Sequence, residues 1–440
     1  MINKILMFFV NLMQKYLPDP FTIAWLITLT VIGMALGFTN TSMVKIVQDW
    51  GDGFFGILSF AMQMAMVIVT GYALAAAPLV QRGLQKIASI PKTQVQMVMF
   101  IGVASMALYY LNWGLGLIAG GLIAREAAKN NPTYDFRILV AAAFSGIIIT
   151  HGGLSASVPL LINTKGHFLE KDMGLIPLTQ TIFHPQALFI TITLAIVIPL
   201  VLVLMIPKKE DTLTADPSLF EKDAIETKAV VGTEISDKLD TSRFLNWTLG
   251  LMGAGYIAYY FGKGGSLNIN ILIFIFLILG VWAHGSLINY VRATNKGAAT
   301  AGGIILQFPF YAGILGIMKG SGLVEIISNV LLNVSTYDTF ELYCYLSSLI
   351  ISIFVPSAGG HWVVQAPIML PAAAKLGVEP WKVAMGVAWG ESIWNIVCPF
   401  WALPLLAIAK ISIRDLIGVS VLLFIVGNIV AVTGILLIPH

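Results

Sequence analysis

The chain has 440 residues, of which 58% are hydrophobic and 11% charged, and its mean hydropathy is +0.87. Soluble domains carry about 25% charged residues, so this composition excludes a soluble globular protein. The formal net charge of +3 comes from basic residues scattered over short segments, which gives no basic patch for a nucleic-acid partner. The two cysteines, Cys344 and Cys398, lie in apolar stretches and form neither a disulfide framework nor a zinc motif.

Uncharged stretches of about 18 or more residues recur along the chain. Residues 20–38, 187–207 and 416–438 are each long enough to cross a hydrocarbon core of about 30 Å as a helix. The sequence therefore predicts an all-α, polytopic membrane protein. Before the first crossing, an apolar run with Asn11 and Lys15 but no small-residue cleavage site predicts an interfacial helix rather than a signal peptide.

The basic residues of short loops predict how the first half is threaded, because Lys and Arg mark the cytoplasmic side. Lys4 and Lys15 place the N-terminus in the cytoplasm, and segments 20–38 and 54–79 then cross outward and back. The apolar stretch 95–124 follows, with a basic loop on each side, residues 81–92 and 125–137. If both loops are cytoplasmic, this stretch enters the membrane, turns near Asn112, Trp113 and Gly114, and leaves on the same side. It is predicted to be a re-entrant hairpin.

A broken helix, residues 137–163, is predicted next, because His151, Gly152, Gly153 and Pro159 interrupt its apolar run. Segment 187–206 completes the N-terminal repeat, residues 1–206. The long polar segment 207–243 is predicted to be a flexible cytoplasmic linker.

The second half, residues 244–440, repeats this scheme after one extra crossing at 244–261. Two further crossings, 270–288 and 300–319, flank a basic loop at 290–296. A second hairpin is predicted at 341–375 with its tip near 356–361, followed by a second broken helix at 383–409 and a last crossing at 416–438.

The spacing of these elements agrees between the halves. Asn112 and His151 are 39 positions apart, and Ser357 and Asn395 are 38 positions apart. The extra crossing turns the second copy upside down relative to the first. Inverted repeats with discontinuous helices that meet near the midplane are typical of secondary transporters.

The candidate binding elements are the four interruptions of the apolar segments, at residues 112–116, 150–159, 356–361 and 391–399. Irregular backbone at membrane depth is tolerated only inside the protein or beside a water-filled cavity, although a single Gly or Pro often only kinks a helix. Half-helix N-termini suit a carboxylate, and free carbonyl and hydroxyl groups suit a cation. The candidate substrate-binding residues are Asn112, Trp113, Gly114, Thr150, His151, Gly152, Gly153, Ser155, Ser157, Ser357, Gly359, Gly360, His361, Gln365 and Asn395.

Glu391 is the sharpest single candidate for ion coupling. Counted from Lys382, it lies about 13 Å along a helix, close to the bilayer centre, where an ionisable residue is a functional candidate by default. A protonated or paired structural carboxyl is the alternative. His151 and His361, inside interruptions, are further candidates for proton contact, with a satisfied structural histidine as the alternative for each. No residue cluster predicts a metal site or a cofactor.

Four motifs, in order along the chain, carry a resemblance. They are YLPDPF (16–21), GLSASVPLLINTKGHFLE (153–170), FVPSAGGHWVVQAP (354–367) and AWGESIWNIVCPFWALPLLAIA (388–409). Together they resemble the short-chain fatty acid transporter family, bacterial inner-membrane carriers associated with uptake of acetoacetate and butyrate. That family resembles in turn the ion-transporter superfamily of cation-coupled carboxylate carriers. There, two hairpin tips and two unwound helices hold substrate and cation, and one domain moves like an elevator.

The resemblance implies hairpin tips at Asn112–Gly114 and Ser357–His361, and unwound helices at Thr150–Ser157 and Glu391–Pro399. It also implies a multi-pass protein of the bacterial inner membrane. A homodimer is one oligomeric state to test, by fold analogy.

The predicted function is secondary active transport of small monocarboxylates, coupled to H⁺ or Na⁺. A cation-coupled dicarboxylate carrier and a cation/proton antiporter are the alternatives within transport. A dicarboxylate site would more readily contain an Arg or Lys at depth, and the apolar segments show none. A membrane-embedded acyltransferase is the remote alternative. Its catalytic cluster would have to be reachable from one face of the membrane, whereas the motifs here are split between two inverted halves. The chain is therefore not expected to be an enzyme.

Overall fold

The computed structural model describes residues 18–215 and 234–438, and the regular structure within them is helical, with no strand. The interfacial helix predicted before residue 20 and the middle of the predicted linker, 216–233, lie outside the described residues. Seven helical stretches of the described part are long and apolar enough to cross a membrane. The predicted all-α, polytopic architecture is therefore confirmed. The seven stretches are Pro20–Phe38, Leu58–Ala75, Gln94–Leu111, Phe136–Ile162, Pro185–Leu204, Leu287–Gly320 and Ile413–Leu437.

The described helices of the first half start with Pro20–Phe38. In chain order they are α1 Pro20–Phe38, α2 Met43–Gly53, α3 Leu58–Ala75, α4 Pro78–Ala88, α5 Gln94–Leu111, α6 Trp113–Asn130, α7 Phe136–Phe144, α8 Ser157–Ile162, α9 Glu170–Met173 and α10 Pro185–Leu204.

Helix α11, Ile235–Asp240, lies inside the segment 207–243 that the sequence predicts to be a flexible linker. The described helices after it are α12 Arg243–Gly262, α13 Ile269–His284, α14 Leu287–Ala298, α15 Gly302–Gly320, α16 Leu323–Val334, α17 Phe340–Ile351, α18 Ala358–Leu376, α19 Pro380–Asn395, α20 Pro399–Ala409 and α21 Ile413–Leu437.

Two segments that the charge pattern predicts to be loops are helical. The predicted basic loop 81–92 is largely α4, and the predicted loop 290–296 lies inside α14. Helix α4 forms because Leu84 and Ala88, one turn apart, are both buried while its basic residues stay at the surface. The basic residues correctly indicated that each segment has a polar surface. The loop prediction was wrong because each segment also has an apolar face, which packs against the protein and makes it an amphipathic helix.

The first predicted hairpin is a pair of helices, α5 and α6, that pack along each other with Asn112 between them. Asn112 ends α5 and caps α6, because its Oδ1 accepts a hydrogen bond from Leu115 N at 2.9 Å. In the second hairpin the non-helical segment is Ser352–Ser357, and α18 begins at Ala358. The irregular backbone predicted at 356–361 therefore ends earlier than predicted, at Ser357.

Both predicted broken helices are interrupted, but differently. Helix α7 continues as a 3₁₀ segment, Ser145–Gly152, before α8 begins at Ser157. Eight residues is unusually long for a 3₁₀ segment, which in a long helix often marks a functional hinge. The second break is short: α19 is regular to Asn395 and α20 begins at Pro399. Glu391 therefore lies in a regular helix, not in the unwound segment implied by the resemblance.

A serine hydroxyl ties each hairpin to the interrupted helix beside it. Ser105 of α5 donates to Ala143 O of α7 at 2.6 Å, 38 positions along the chain. Ser348 of α17 donates to Val387 O of α19 at 2.7 Å, 39 positions along. The same contact thus recurs at nearly the same spacing in the two halves.

The start of the predicted linker is held against the first half. Phe136 N donates to Leu213 O at 2.8 Å, and Leu213 N donates to Asp135 Oδ2 at 2.9 Å. Asp135 is fully buried and also accepts from Arg137. Residues up to Ala215 are therefore ordered by these bonds, whereas the sequence predicts a flexible segment from residue 207.

Candidate functional site

A small cavity of about 40 Å³ lies where all four interrupted segments meet. Its wall combines the tip between α5 and α6, the 3₁₀ segment and the start of α8, the start of α18, and the end of α19. Nine predicted site residues line it: Trp113, Thr150, His151, Ser155, Ser157, Ser357, Gly359, Glu391 and Asn395.

A buried pair of ionisable groups forms one side of the cavity. His151 Nε2 and Glu391 Oε2 are 2.9 Å apart, and the side chains are 4% and 1% exposed. The groups are at ion-pair distance without the alignment of a hydrogen bond. Glu391 Oε1 and His151 Nδ1 have no hydrogen-bond partner among the described residues. The pair joins the first interrupted helix to α19 and has free positions for a proton, an ion or a ligand.

Hydroxyl groups fix the helices that carry this pair. Thr150 Oγ1 and Ser392 Oγ lie 3.1 Å apart. Ser392 Oγ also donates to Ile148 O at 3.0 Å, which satisfies a carbonyl of the 3₁₀ segment. Ser392 is one residue from Glu391 and was not predicted from the sequence. Its bonds explain how a segment with incomplete helical bonding stays in register with α19.

The first hairpin tip is fastened to the first helix break. Trp113 N donates to Ser155 Oγ at 3.0 Å, and Leu154 N donates to Tyr110 O at 2.6 Å. Asn112 Oδ1 is used as the cap of α6, while its Nδ2 is buried without a partner. The tip therefore presents the positive end of α6, with a free donor behind it.

The second tip presents the N-terminus of α18 to the same cavity. Ser357 is the N-cap residue, but its side chain makes no capping bond, and the main-chain N–H groups of the first helical turn have no intrahelical acceptor. Gly359 lines the cavity in this first turn. Two helix N-termini, of α6 and α18, thus face one cavity, and each carries roughly half a positive charge.

His361 and Gln365 do not line the cavity. They lie one turn apart on the face of α18 that meets α17, and both are fully buried. His361 is bonded to Ser352 Oγ at 3.1 Å and to Gln365 Oε1. Gln365 Nε2 donates to Ser347 Oγ at 2.9 Å and to Cys344 O. This network gives both residues a role in holding the hairpin together, and their predicted contact with substrate stays a prediction.

The other predicted residues support the wall from behind. A Cβ at Gly114 would lie 3.1 Å from Ile68 Cα, and one at Gly360 would lie 2.5 Å from the ring of Tyr311. Position 360 therefore has no room for a side chain unless the Tyr311 ring moves, whereas at position 114 the backbone of Ile68 would have to shift by a few tenths of an ångström. The predicted residues in this group are Asn112, Gly114, Gly152, Gly153 and Gly360.

Apolar and aromatic side chains complete the wall, and most were not predicted. Trp113 and Trp401 pack edge to face with ring centroids 5.5 Å apart. Both indole N–H groups are buried without a partner among the described residues, as is the hydroxyl of Tyr109. The cavity-lining residues that the sequence did not single out are Met64, Tyr109, Leu117, Ile147, Ile304 and Ala358.

Structural comparison shows the same fold in a solved transporter. The crystal structure of the YdaH transporter from Alcanivorax borkumensis, described as having an unusual topology, matches with a TM-score of 0.59 and 16% identity. The match covers 94% of this chain and 98% of that chain. At this identity the likeness concerns the fold alone.

Sequence comparison gives the family. The family described as short chain fatty acid transporter matches residues 1–438. A protein of Escherichia coli (strain K12) named "Putative short-chain fatty acid transporter" is 39% identical over 439 residues, 99% of this chain and 100% of the relative. A Haemophilus influenzae protein of the same name is 39% identical over 427 residues, 95% of this chain and 96% of the relative. The chain belongs to the short-chain fatty acid transporter family.

Proposed function

We propose that this protein is a secondary active transporter of short-chain fatty acids and other small monocarboxylates, such as acetoacetate and butyrate. The observation that carries the proposal is the meeting of four interrupted segments, two from each half of the chain, around one cavity. Such segments in a helical membrane protein suit a substrate site that can be opened from either side. The family and the printed names of the two relatives support the substrate class.

The substrate carboxylate binds between the N-termini of α6 and α18. Main-chain N–H groups and the helix dipoles favour an anion there, and the indole N–H groups of Trp113 and Trp401 are free to donate. The short alkyl chain then contacts the apolar wall, which includes Met64, Leu117 and Ile304. This division of the cavity into a polar end and an apolar wall suits a small amphiphilic acid.

A monocarboxylate fits the cavity better than a dicarboxylate. None of the described residues that line the cavity is Lys or Arg. A second carboxylate would therefore be desolvated without a cationic side chain, which is costly in a buried site. A dicarboxylate carrier stays the second candidate only if a bound cation supplies the missing charge.

Coupling to H⁺ through His151 and Glu391 is the proposed driving mechanism. The two groups face the substrate cavity and lie 2.9 Å apart, close enough to share a bound proton. Na⁺ is the alternative coupling ion, for which Glu391 Oε1 and Asn395 Oδ1 supply oxygens without partners among the described residues. His361, the third predicted coupling residue, acts through the hairpin rather than in the cavity.

The two halves are proposed to form an inverted repeat, with α5–α6 and α17–α18 as re-entrant hairpins that move in an elevator-like alternating access. The matched serine contacts, Ser105 to Ala143 and Ser348 to Val387, support equivalent roles for the two hairpins. The protein is placed in the bacterial inner membrane with its N-terminus in the cytoplasm, on the distribution of basic residues.

Uptake of labelled butyrate into proteoliposomes tests the proposal, with a pH gradient and a Na⁺ gradient imposed separately. Butyric acid also crosses lipid in its neutral form, so empty liposomes set the background and only initial rates are compared. We expect protein-dependent uptake that unlabelled acetoacetate inhibits and succinate, a dicarboxylate, does not. Uptake no faster than in empty liposomes under either gradient would overturn the substrate class, and equal inhibition by succinate would favour a dicarboxylate carrier.

A further inference from the structure

A second cavity, of about 450 Å³, lies at one end of α12, α13 and α14 and shares no lining residue with the substrate cavity. Arg243 and Asn246 line it from the first turn of α12. Trp282 lines it from the end of α13, and Ser286 from the turn before α14. Helix α12 begins at Arg243, which is also the last residue of the predicted linker, so the cavity lies where the linker joins the second half.

Polar atoms without partners line this cavity. Asn246 is 2% exposed and Ser286 is 6% exposed. Neither Asn246 Oδ1 nor Ser286 Oγ, nor the indole N–H of Trp282, has a hydrogen-bond partner among the described residues. The indole nitrogen of Trp282 packs against Gly250. Buried polar side chains in folded proteins nearly always have a partner, so the other two atoms, Asn246 Oδ1 and Ser286 Oγ, point to a ligand.

The electrostatics of the cavity favour an anion. Ser286 is the N-cap residue of α14, but its side chain makes no capping bond, so the first N–H groups of that 12-residue helix stay available. Arg243 lines the cavity at the N-terminus of α12, a 20-residue helix. None of the described residues that line the cavity is acidic. The uncapped N-terminus of α14, the guanidinium of Arg243 and the hydroxyl of Ser286 therefore converge.

The position of the cavity relative to the membrane suits a lipid headgroup. A helix of 20 residues is about 30 Å long, which matches the hydrocarbon core, so the Arg243 end of α12 reaches the headgroup region. Trp247 is 57% exposed, and its ring lies 5.7 Å from that of Trp282. Paired indoles at a helix end are typical of the membrane interface.

We propose that this cavity binds a phosphoryl anion, through Arg243, Ser286 and the N-terminus of α14. The phosphodiester of an anionic phospholipid and free inorganic phosphate share this chemistry. Asn246 Oδ1 adds an acceptor for a hydroxyl group of the ligand. The occupant stabilises the junction of α12, α13 and α14 and takes no part in holding the transported acid.

Native mass spectrometry of the full-length protein in detergent tests the proposal by counting retained ligands. The probes are phosphatidylglycerol, diacylglycerol with the same acyl chains, and inorganic phosphate as a competitor. The variants are Arg243→Gln and Ser286→Ala, and the matched control is Arg292→Gln, which changes an exposed arginine of α14 that does not line the cavity. Each variant is first checked for an unchanged thermal unfolding midpoint in lipid-free detergent.

We expect wild type and Arg292→Gln to retain phosphatidylglycerol in preference to diacylglycerol, and Arg243→Gln and Ser286→Ala to bind it about tenfold more weakly. Displacement by millimolar inorganic phosphate would identify free phosphate as a second source of the same group. Equal retention of diacylglycerol and phosphatidylglycerol, or equal affinity in Arg243→Gln and Arg292→Gln, would overturn the proposal. Because Ser286→Ala removes only a hydroxyl group, it keeps the test valid if the arginine variant does not fold.

Discussion

Glu391→Gln should separate substrate exchange from gradient-driven uptake. The substitution keeps the size of the side chain and removes its negative charge beside His151, at a contact of 2.9 Å between side chains that are 4% and 1% exposed. Removing one partner of a buried ionic pair costs about 3–5 kcal/mol. We therefore expect the initial rate of pH-driven butyrate uptake to fall by at least about 100-fold. Exchange of labelled for unlabelled butyrate at equal pH needs no net proton transfer and should persist.

The assay compares initial rates in proteoliposomes, because a pH gradient alone distributes a weak acid between compartments even without a carrier. Glu341→Gln is the matched control: Glu341 is 3% exposed and accepts from Gln186 at 3.2 Å, but it does not line the cavity. It should keep the wild-type response to the gradient. The effects of Glu391→Gln and His151→Gln should also be non-additive, as for groups in contact. Gradient-driven uptake by Glu391→Gln at the wild-type rate would refute the coupling role of this pair.

Substitutions at three further positions test the two hairpins. Gly359→Ala places a Cβ 2.8 Å from Phe60 Cζ, so it should displace the tip of α18 and raise the KM for butyrate about tenfold; an unchanged KM would contradict the placement of this tip. His361→Ala leaves Gln365 Oε1 and Ser352 Oγ without their buried partner and should lower the free energy of unfolding by about 1–3 kcal/mol, with no change in KM; a raised KM at wild-type stability would instead indicate substrate contact. Asn112→Ala removes the cap of α6 and should lower stability by about 1 kcal/mol. Asn112→Asp keeps the cap but adds a negative charge, so it should retain stability and raise KM, as measured by thermal unfolding and uptake.

The cavity could be anticipated from the sequence because its wall contains residue types that are unusual inside apolar membrane segments. Gly, Pro, His and Glu inside apolar stretches stand out, since hydrocarbon excludes them unless the protein satisfies their polar groups. Basic residues on both sides of 95–124 indicated the first hairpin. The similar spacings of 39 and 38 positions then matched the two interruptions of the first half with the two of the second half. As a result Trp113, His151, Ser357 and Glu391 were predicted together, and the structure brings all four to one cavity.

The phase of α18 could not be predicted. His361 and Gln365 follow the tip in sequence, but the side a residue faces depends on where the helix begins. Because α18 already begins at Ala358, these two residues are one turn apart and both face α17, away from the cavity. A string of Gly and Pro marks a break without giving its last residue.

The apolar wall was missed for a different reason. Met64 and Ile304 line the cavity, yet each belongs to a region where apolar residues of the same kind face lipid or pack in the interior. In a membrane helix both faces are apolar, so the amphipathic pattern that identifies a buried face in a soluble protein is absent. Only the packing of the four segments around one space distinguishes these side chains from their neighbours.

The cavity itself gives a reason for coupling. A bound carboxylate and an ionised Glu391 would place two negative charges in one buried space, where like charges disfavour each other strongly. The α6 and α18 N-termini together offset roughly one negative charge, and none of the described lining residues is Lys or Arg. A bound proton on the His151–Glu391 pair, or a cation beside it, therefore strengthens substrate binding. By linkage, substrate strengthens the binding of that proton or cation by the same factor. In the proposed mechanism the loaded carrier moves both together, so that a gradient of the ion would drive uptake of the acid.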